Sequence, residues 1–529
     1  MEKTPRCVRW GYEVNASSDG CIDAIDSYFH QVLSYGRNRK VILEAPIHDK
    51  DCVLGNILAA HYLASSDHSR AKSYLEAASS NLEQATTYEK AVFEAVSYLI
   101  TEDRDDDLAF EMHIELLKRF PKDLVSLKRA QILSFYMGQP GPFLGLVQQV
   151  VLPVNQEESY IHGILAFPLL ELGRMEEAAA ASRKGYEINK EDAWAHHCLC
   201  HVLHHECQFK EAVEFMKEVS ESWPSCSSFM YTHNWWHVAL CYLEGGSPMS
   251  KVMEIYDTHI WKELEKEDAV PPEVYLNALG LLLRLDVRDA LDGSFEDRLK
   301  LLAARLTDQA NWYLEWHLDI LIVWALAKAG ETSRAHELLE GLKFRVSKMN
   351  KKKQELMQKG IQLCEAVYEY AKGNYKQALE LLGSDFNAIG YKIIGASDEQ
   401  IDVFNEMWCQ LLLKTCQPST GAACYRLKIS FINKFILFSI TINTLGSDLC
   451  SQRSDQREDK GQRWCSLHVA FAGKHDIIFT SLMCQWGFLV MRKPMWCFWW
   501  QEKSYSMEGN VEAERAGERA KKLEESSYF

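Results

Sequence analysis

Leu172-Gly173-Arg174-Met175-Glu176-Glu177-Ala178 contains a spacing of small residues that recurs along the chain. A Gly is followed five positions later by an Ala, and the same offset returns at Gly330 and Ala335 and at Gly373 and Ala378. A second offset leads from a small residue to a proline twelve positions on, at Ala109 to Pro121 and at Ala212 to Pro224. Each element has a mechanical reason. The Gly ends a first helix where a positive φ is wanted. The Ala lies early in a second helix, where two backbones come close, and the Pro stops that helix before the next pair begins.

The step from Ala178 to Ala212 is 34 residues. A period of that length with these features resembles the tetratricopeptide repeat, a helix–turn–helix unit that stacks into a solenoid. An irregular helical bundle is the plainer alternative, but it must meet three Gly–Ala offsets and two Pro offsets by chance. The fold class expected is all-α, a tetratricopeptide-like helical-hairpin solenoid with degenerate repeats. The degeneracy shows in a step of 40 from Ala212 to Val252 and one of 43 from Ala335 to Ala378. Helix pairs are expected at about 51–78, 88–120, 124–151, 159–189, 193–222, 231–261, 272–302, 311–344 and 354–382. Residues 1–50 read as an N-terminal helical cap with one amphipathic helix around 22–35, and 51–420 as the repeat array.

From residue 421 to 498 the sequence changes character. This stretch has 10 Lys and Arg against 5 Asp and Glu, a net of +5, which leaves −21 for the other 451 residues. β-branched and aromatic runs such as Phe431-Ile432-Asn433-Lys434-Phe435-Ile436-Leu437-Phe438 replace helical periodicity. The segment is expected to be atypical and poorly ordered, and it reads as translated non-coding sequence such as a retained intron. An inserted lobe is the competing explanation. Residues 499–529 return to repeat-like sequence and end in an amphipathic terminal helix.

Composition narrows the function classes. The 529 residues carry 58 Lys and Arg against 74 Asp and Glu, for a formal charge of −16. That balance argues against nucleic acid as the main partner, because phosphate binding needs clustered cationic charge. With 47% hydrophobic and 25% charged residues, the chain is a folding one. Its longest apolar runs, 431–445 and 477–491, are broken by Lys434 and Gln485 and fall short of the ~20 residues a membrane helix needs. No membrane span is expected. No export signal is read at the N-terminus, and 16 scattered Cys without a C-x-x-C pair point to reduced thiols, so a soluble, cytoplasmic protein is expected.

Chemistry concentrates in Asp192-Ala193-Trp194-Ala195-His196-His197-Cys198-Leu199-Cys200-His201-Val202-Leu203-His204-His205. His197 and His201 are spaced i, i+4 and so share a helix face. One repeat later, in Thr232-His233-Asn234-Trp235-Trp236-His237, His233 and His237 repeat the spacing. If both segments are first helices of neighbouring pairs, the faces meet and gather four imidazoles able to hold Zn²⁺ or a similar ion. The competing reading is a hydrogen-bonded polar layer between helices, flanked by Trp194, Trp235 and Trp236. Cys198, Cys200 and Cys207 are candidates to join such a site, although small buried Cys is the commoner outcome. No phosphate loop, nucleophile elbow or EF-hand loop is present, and no catalytic residue is assigned.

Asp192-Ala193-Trp194, His197, His201, then His233-Asn234 with Trp236-His237 and Ala239-Leu240, and finally Tyr256-Asp257-Thr258-His259-Ile260, resemble the family of tetratricopeptide repeat protein 38 and its bacterial relatives. The likeness runs through most of residues 10–415, lapses across 421–498 and returns weakly from 499. It implies an α-helical repeat protein without an established reaction. Two functions follow as expectations. The first is a protein-interaction scaffold that binds a peptide or partner on its concave face, with no cofactor established. The alternative is a metal-dependent enzyme or small-ligand-binding protein centred on His197, His201, His233 and His237, with zinc as the candidate ion.

Overall fold

A computed structural model describes residues 5–415, apart from 102, 103 and 292. The odd segment at 421–498 and the closing helix expected at 499–529 lie outside the described residues. Within them the chain is overwhelmingly helical. No described helix is long and apolar enough to cross a membrane.

The N-terminal region begins with a short antiparallel ladder, β1 (Pro5–Cys7) on β2 (Glu13–Asn15), which helical periodicity does not announce. Helix α1 (Asp19–Leu33) follows where an amphipathic helix was expected, and Ser18 caps it by accepting the Gly20 amide. Ile25, Phe29 and Leu33 bury its apolar stripe.

From Val53 onward the helices come as successive pairs joined by short turns, at positions close to those read from the sequence. The recurrent small residues behave as the spacing requires. Gly173 (φ +74°) and Gly330 (φ +92°) sit in the left-handed region at first-helix ends. Ala109, Ala178, Ala212, Ala335 and Ala378 are all 0% exposed, at the close contacts between paired helices. Cys207 takes the glycine position in one pair with φ +59°, five residues before Ala212. The step lengthened to 40 contains the six-residue 3-10 turn Ser220–Ser225 and the 17-residue helix Ser228–Glu244.

First helices pack side by side. The helix Ile161–Glu171 meets α2 (Ala193–His205), α2 meets α3 (Ser228–Glu244), α3 meets α4 (Pro271–Val287), and α4 meets α5 (Trp316–Lys328). All thirteen residues of α2 are buried, so this helix is covered on every side. The cover comes from both ends of the described chain. On one side Tyr35 stacks on Trp194 with centroids 5.1 Å apart, and Gly36 bridges to Cys226. On the other, a tight turn at Ala388–Ile394 leads into α6 (Asp398–Thr415), which returns to pack on α4. Ile401, Phe404, Met407 and Leu411 of α6 are buried within the common core. Tyr35 thus lies against α2, and α6 against α4.

Polar clasps seat α6 among these first helices. Glu406 is gripped by Arg284 at 2.7 Å and by Arg288 at 2.7 Å, and Arg288 also pairs with Glu244 at 2.5 Å. Lys392 joins Glu171 and Asp398, each at 2.7 Å.

Candidate metal centre

Two first helices supply the site. Asp192 starts α2 by accepting the amides of Trp194 at 3.1 Å and Ala195 at 3.2 Å, which fixes the rotation of the helix about its axis. Ser227 caps α3 in the same way, through the Met230 amide. With α2 and α3 in contact, the two His pairs face each other. His197, His201, His233 and His237 each offer one ring nitrogen, and these four atoms lie within 4.8 Å of one another. All four rings are buried, none more than 3% exposed. The sequence expectation that the two faces meet is what the structure shows.

The rings are held by aromatic neighbours. Trp194 stacks on His197 at 4.5 Å, while Phe229 and Trp236 stack on His233 at 4.9 Å and 5.3 Å. Such planar contacts limit ring rotation more than they add energy.

Hydrogen bonds assign the nitrogens. His201 Nδ1 donates to Glu399 Oε1, a partner on α6 that lies 198 residues away in sequence. In the His201 tautomer that leaves Nε2 free as an acceptor, the 2.9 Å contact between the two Nε2 atoms is a bond donated by His197. His233 Nδ1 donates to Asn277 Oδ1 at 2.8 Å, and Asn277 is itself fixed by donating to Thr232 Oγ1 at 2.8 Å. His197 Nδ1 and both nitrogens of His237 have no hydrogen-bond partner among the described residues. Buried polar atoms are normally satisfied, so three orphaned nitrogens in one cluster call for an explanation.

Electrostatics keep His197, His233 and His237 neutral. Burial first, then the neighbouring His rings, push His197 and His237 well below the usual imidazole range. Burial takes His233 down to about 4, partly offset by its bond to Asn277. Glu399 behaves in the opposite way: burial would raise it, but its close contact and hydrogen bond with His201 hold it down at about 2. Neutral imidazole beside an ionised carboxylate is the protonation pattern a metal ligand needs.

The other expected candidates go elsewhere. His196 bonds the Lys190 carbonyl at 3.0 Å and accepts from Trp223 Nε1 at 3.3 Å. His204 and His205 line a small cavity with Arg284, Asp398, Glu399 and Asp402. Cys198 donates weakly to the Gly163 carbonyl at 3.8 Å, Cys241 faces Cys200, and no cysteine belongs to the four-ligand group. Within the Tyr256–Ile260 motif, Asp257 pairs with Arg298 at 2.7 Å and His259 stacks on Trp235 at 3.5 Å, so both serve the fold. Glu399 and Asn277 are the residues local sequence patterns do not reveal, because neither lies within a repeat of the ligands it orients.

No protein-family model matches the chain.

Proposed function

We propose that this chain is a tetratricopeptide-like helical-repeat protein built around one buried divalent metal ion, held by His197, His201, His233 and His237. One observation carries the reading: four imidazole nitrogens, each on a buried ring, converge within 4.8 Å. Zn–N bonds of ~2.0–2.1 Å place tetrahedral ligand atoms ~3.3 Å apart, so the two Nε2 atoms at 2.9 Å must open slightly while the more distant rings close on the ion. A four-nitrogen set of neutral imidazoles suits zinc, with copper and nickel the natural competitors.

The role that fits best is structural. Four protein ligands close a tetrahedral shell, whereas catalytic zinc keeps a position open. Of the two small cavities beside the centre, one is lined by Trp236, Asn277, Gly280 and His317 and the other by His204, Arg284 and Glu399. Neither is lined by a ligating His. The ion would tie one helix pair to the next, α2 to α3.

The succession of helix pairs with Gly or Cys in the left-handed turn and a buried Ala beyond it supports the repeat reading and the family resemblance. A peptide-binding scaffold remains the second reading; Tyr35 lies on α2 and α6 packs on α4, so a partner would need surface that these segments leave open.

Elemental analysis tests the metal. Full-length protein incubated with Zn²⁺ and desalted should retain about one equivalent per chain, and the His197→Ala/His237→Ala double variant none. Wild-type protein that keeps no more zinc than the double variant would overturn the reading.

A further inference from the structure

We propose that Glu399 is the positioning residue of this centre, so that metal loading and the seating of α6 form one linked equilibrium. The inference rests on the metal reading above and adds a component that the four ligands do not contain.

Three observations carry it. First, Glu399 Oε1 takes the Nδ1 proton of His201, which leaves Nε2 facing the other three rings. A carboxylate behind a ligating imidazole fixes the ring plane and raises its basicity, and mutating such partners costs 10–100-fold in metal affinity. Second, Oε2 of Glu399 has no side-chain partner among the described residues, so no competing side-chain bond pulls the carboxylate away from His201. Third, Glu399 is aimed by its helix. Its backbone carbonyl accepts from Arg284, and buried Ile401 and Phe404 on the same helix hold the first turn of α6 against α4.

Charge gives the contact a direction. Four neutral imidazoles bring a divalent ion into the interior without cancelling its charge, and an isolated charge there is costly. Glu399 supplies an anion in direct contact with the ligand shell. His233 has a counterpart in Asn277, but that partner is neutral. Loading the ion therefore strengthens the His201–Glu399 bond, and seating α6 strengthens the ion's hold, since linkage is reciprocal.

Titration of full-length protein with Co²⁺, read by its visible ligand-field spectrum against a competing chelator, tests this, together with hydrogen exchange over residues 398–415. Wild type should show an intense tetrahedral spectrum. The Glu399→Met variant, which keeps the side-chain length, should bind 10–100-fold more weakly with a broadened spectrum. Glu399→Gln should lie between them, because an amide oxygen still accepts the Nδ1 proton. Exchange in α6 should slow on adding Co²⁺ to wild type. Should Glu399→Met fail to fold, the Gln variant and the wild-type exchange decide. Wild-type affinity in every variant that folds, or exchange in α6 indifferent to Co²⁺, overturns the role of Glu399 while leaving a His237-dependent centre in place. Wild type that binds no Co²⁺ removes the metal reading itself, and this inference with it.

Discussion

His197 Nε2 and His201 Nε2 lie 2.9 Å apart, one turn from each other on α2 and both pointing at the α3 pair. One proton bridges them; in the proposed metal-bound state His197 carries that proton on Nδ1 instead, and both Nε2 lone pairs would bind the ion, turning a hydrogen bond into two ligand bonds. The folded chain presents this geometry and the unfolded chain does not, so an ion bound there would stabilise by mass action. At a free concentration about 1,000-fold above Kd the gain is ~4 kcal/mol. Thermal unfolding of zinc-loaded and chelator-stripped protein should differ by several degrees, and the His237→Ala variant should show no difference. Identical melting of the loaded and stripped wild type would sink the claim.

Much of this was readable in the sequence, and the reasons are local. Gly173 followed by Ala178 reports a helix end and a close helix contact within a few residues. His197 with His201 reports a shared face through helical geometry alone. What stayed hidden depends on tertiary return. Glu399 reaches His201 across 198 residues, and no repeat period carries that information. The turn at Cys207 was hidden for a different reason: a Cys occupies the left-handed position that glycine marks elsewhere. The strand pair at Pro5–Cys7 and Glu13–Asn15 is too short for a period-two pattern to stand out.

Glu406 gives the second prediction. It is buried between Arg284 and Arg288, with three contacts at 2.7 Å. Glu406→Ala leaves Arg284, only 3% exposed, without its carboxylate. Breaking one partner of a buried pair costs about 3–5 kcal/mol, because the remaining charge stays desolvated. Glu406→Gln keeps the acceptor oxygen and should lose less. Chemical denaturation should rank the proteins wild type, Gln, then Ala; an Ala variant within 1 kcal/mol of wild type would show the clasp to be dispensable, given that typical surface changes fall within about ±0.5 kcal/mol.

The third concerns pH and His196. Its ring donates to the Lys190 carbonyl and accepts from Trp223, an arrangement that fits the neutral form alone. Burial first pushes its pKa down to about 4. Unfolded imidazole titrates near 6.5, so between pH 6.5 and 4 the unfolded chain gains a proton that the native chain refuses. Native stability therefore falls with pH across that window, by about 3 kcal/mol from this residue. Buried carboxyls such as Asp319 and Asp402, raised mainly by burial to about 7, act in the opposite sense. The difference between two proteins isolates the histidine. His196→Gln does not titrate, so its stability relative to wild type should rise by about 3 kcal/mol from pH 7 to pH 4, measured by denaturant unfolding at each pH. A constant difference would show that the ring is protonated in the folded state.

Two glycines separate backbone strain from chain entropy. Gly330 has φ +92°, and a Cβ built there meets nothing within 4 Å. Substitution to Ala costs only the left-handed conformation, roughly 1–2 kcal/mol. Gly145 lies inside the helix Pro140–Leu146 and also has open space around its Cβ position, but its φ is not in the left-handed region. There Ala removes the entropy penalty of a helical glycine, worth about 0.5–1 kcal/mol. Gly330→Ala and Gly145→Ala should therefore shift the denaturant midpoint in opposite directions with an unchanged m-value. Shifts of the same sign would mean that the turn after Ala329 relaxes freely, and the left-handed glycine would then lose its place as the element that ends the first helix.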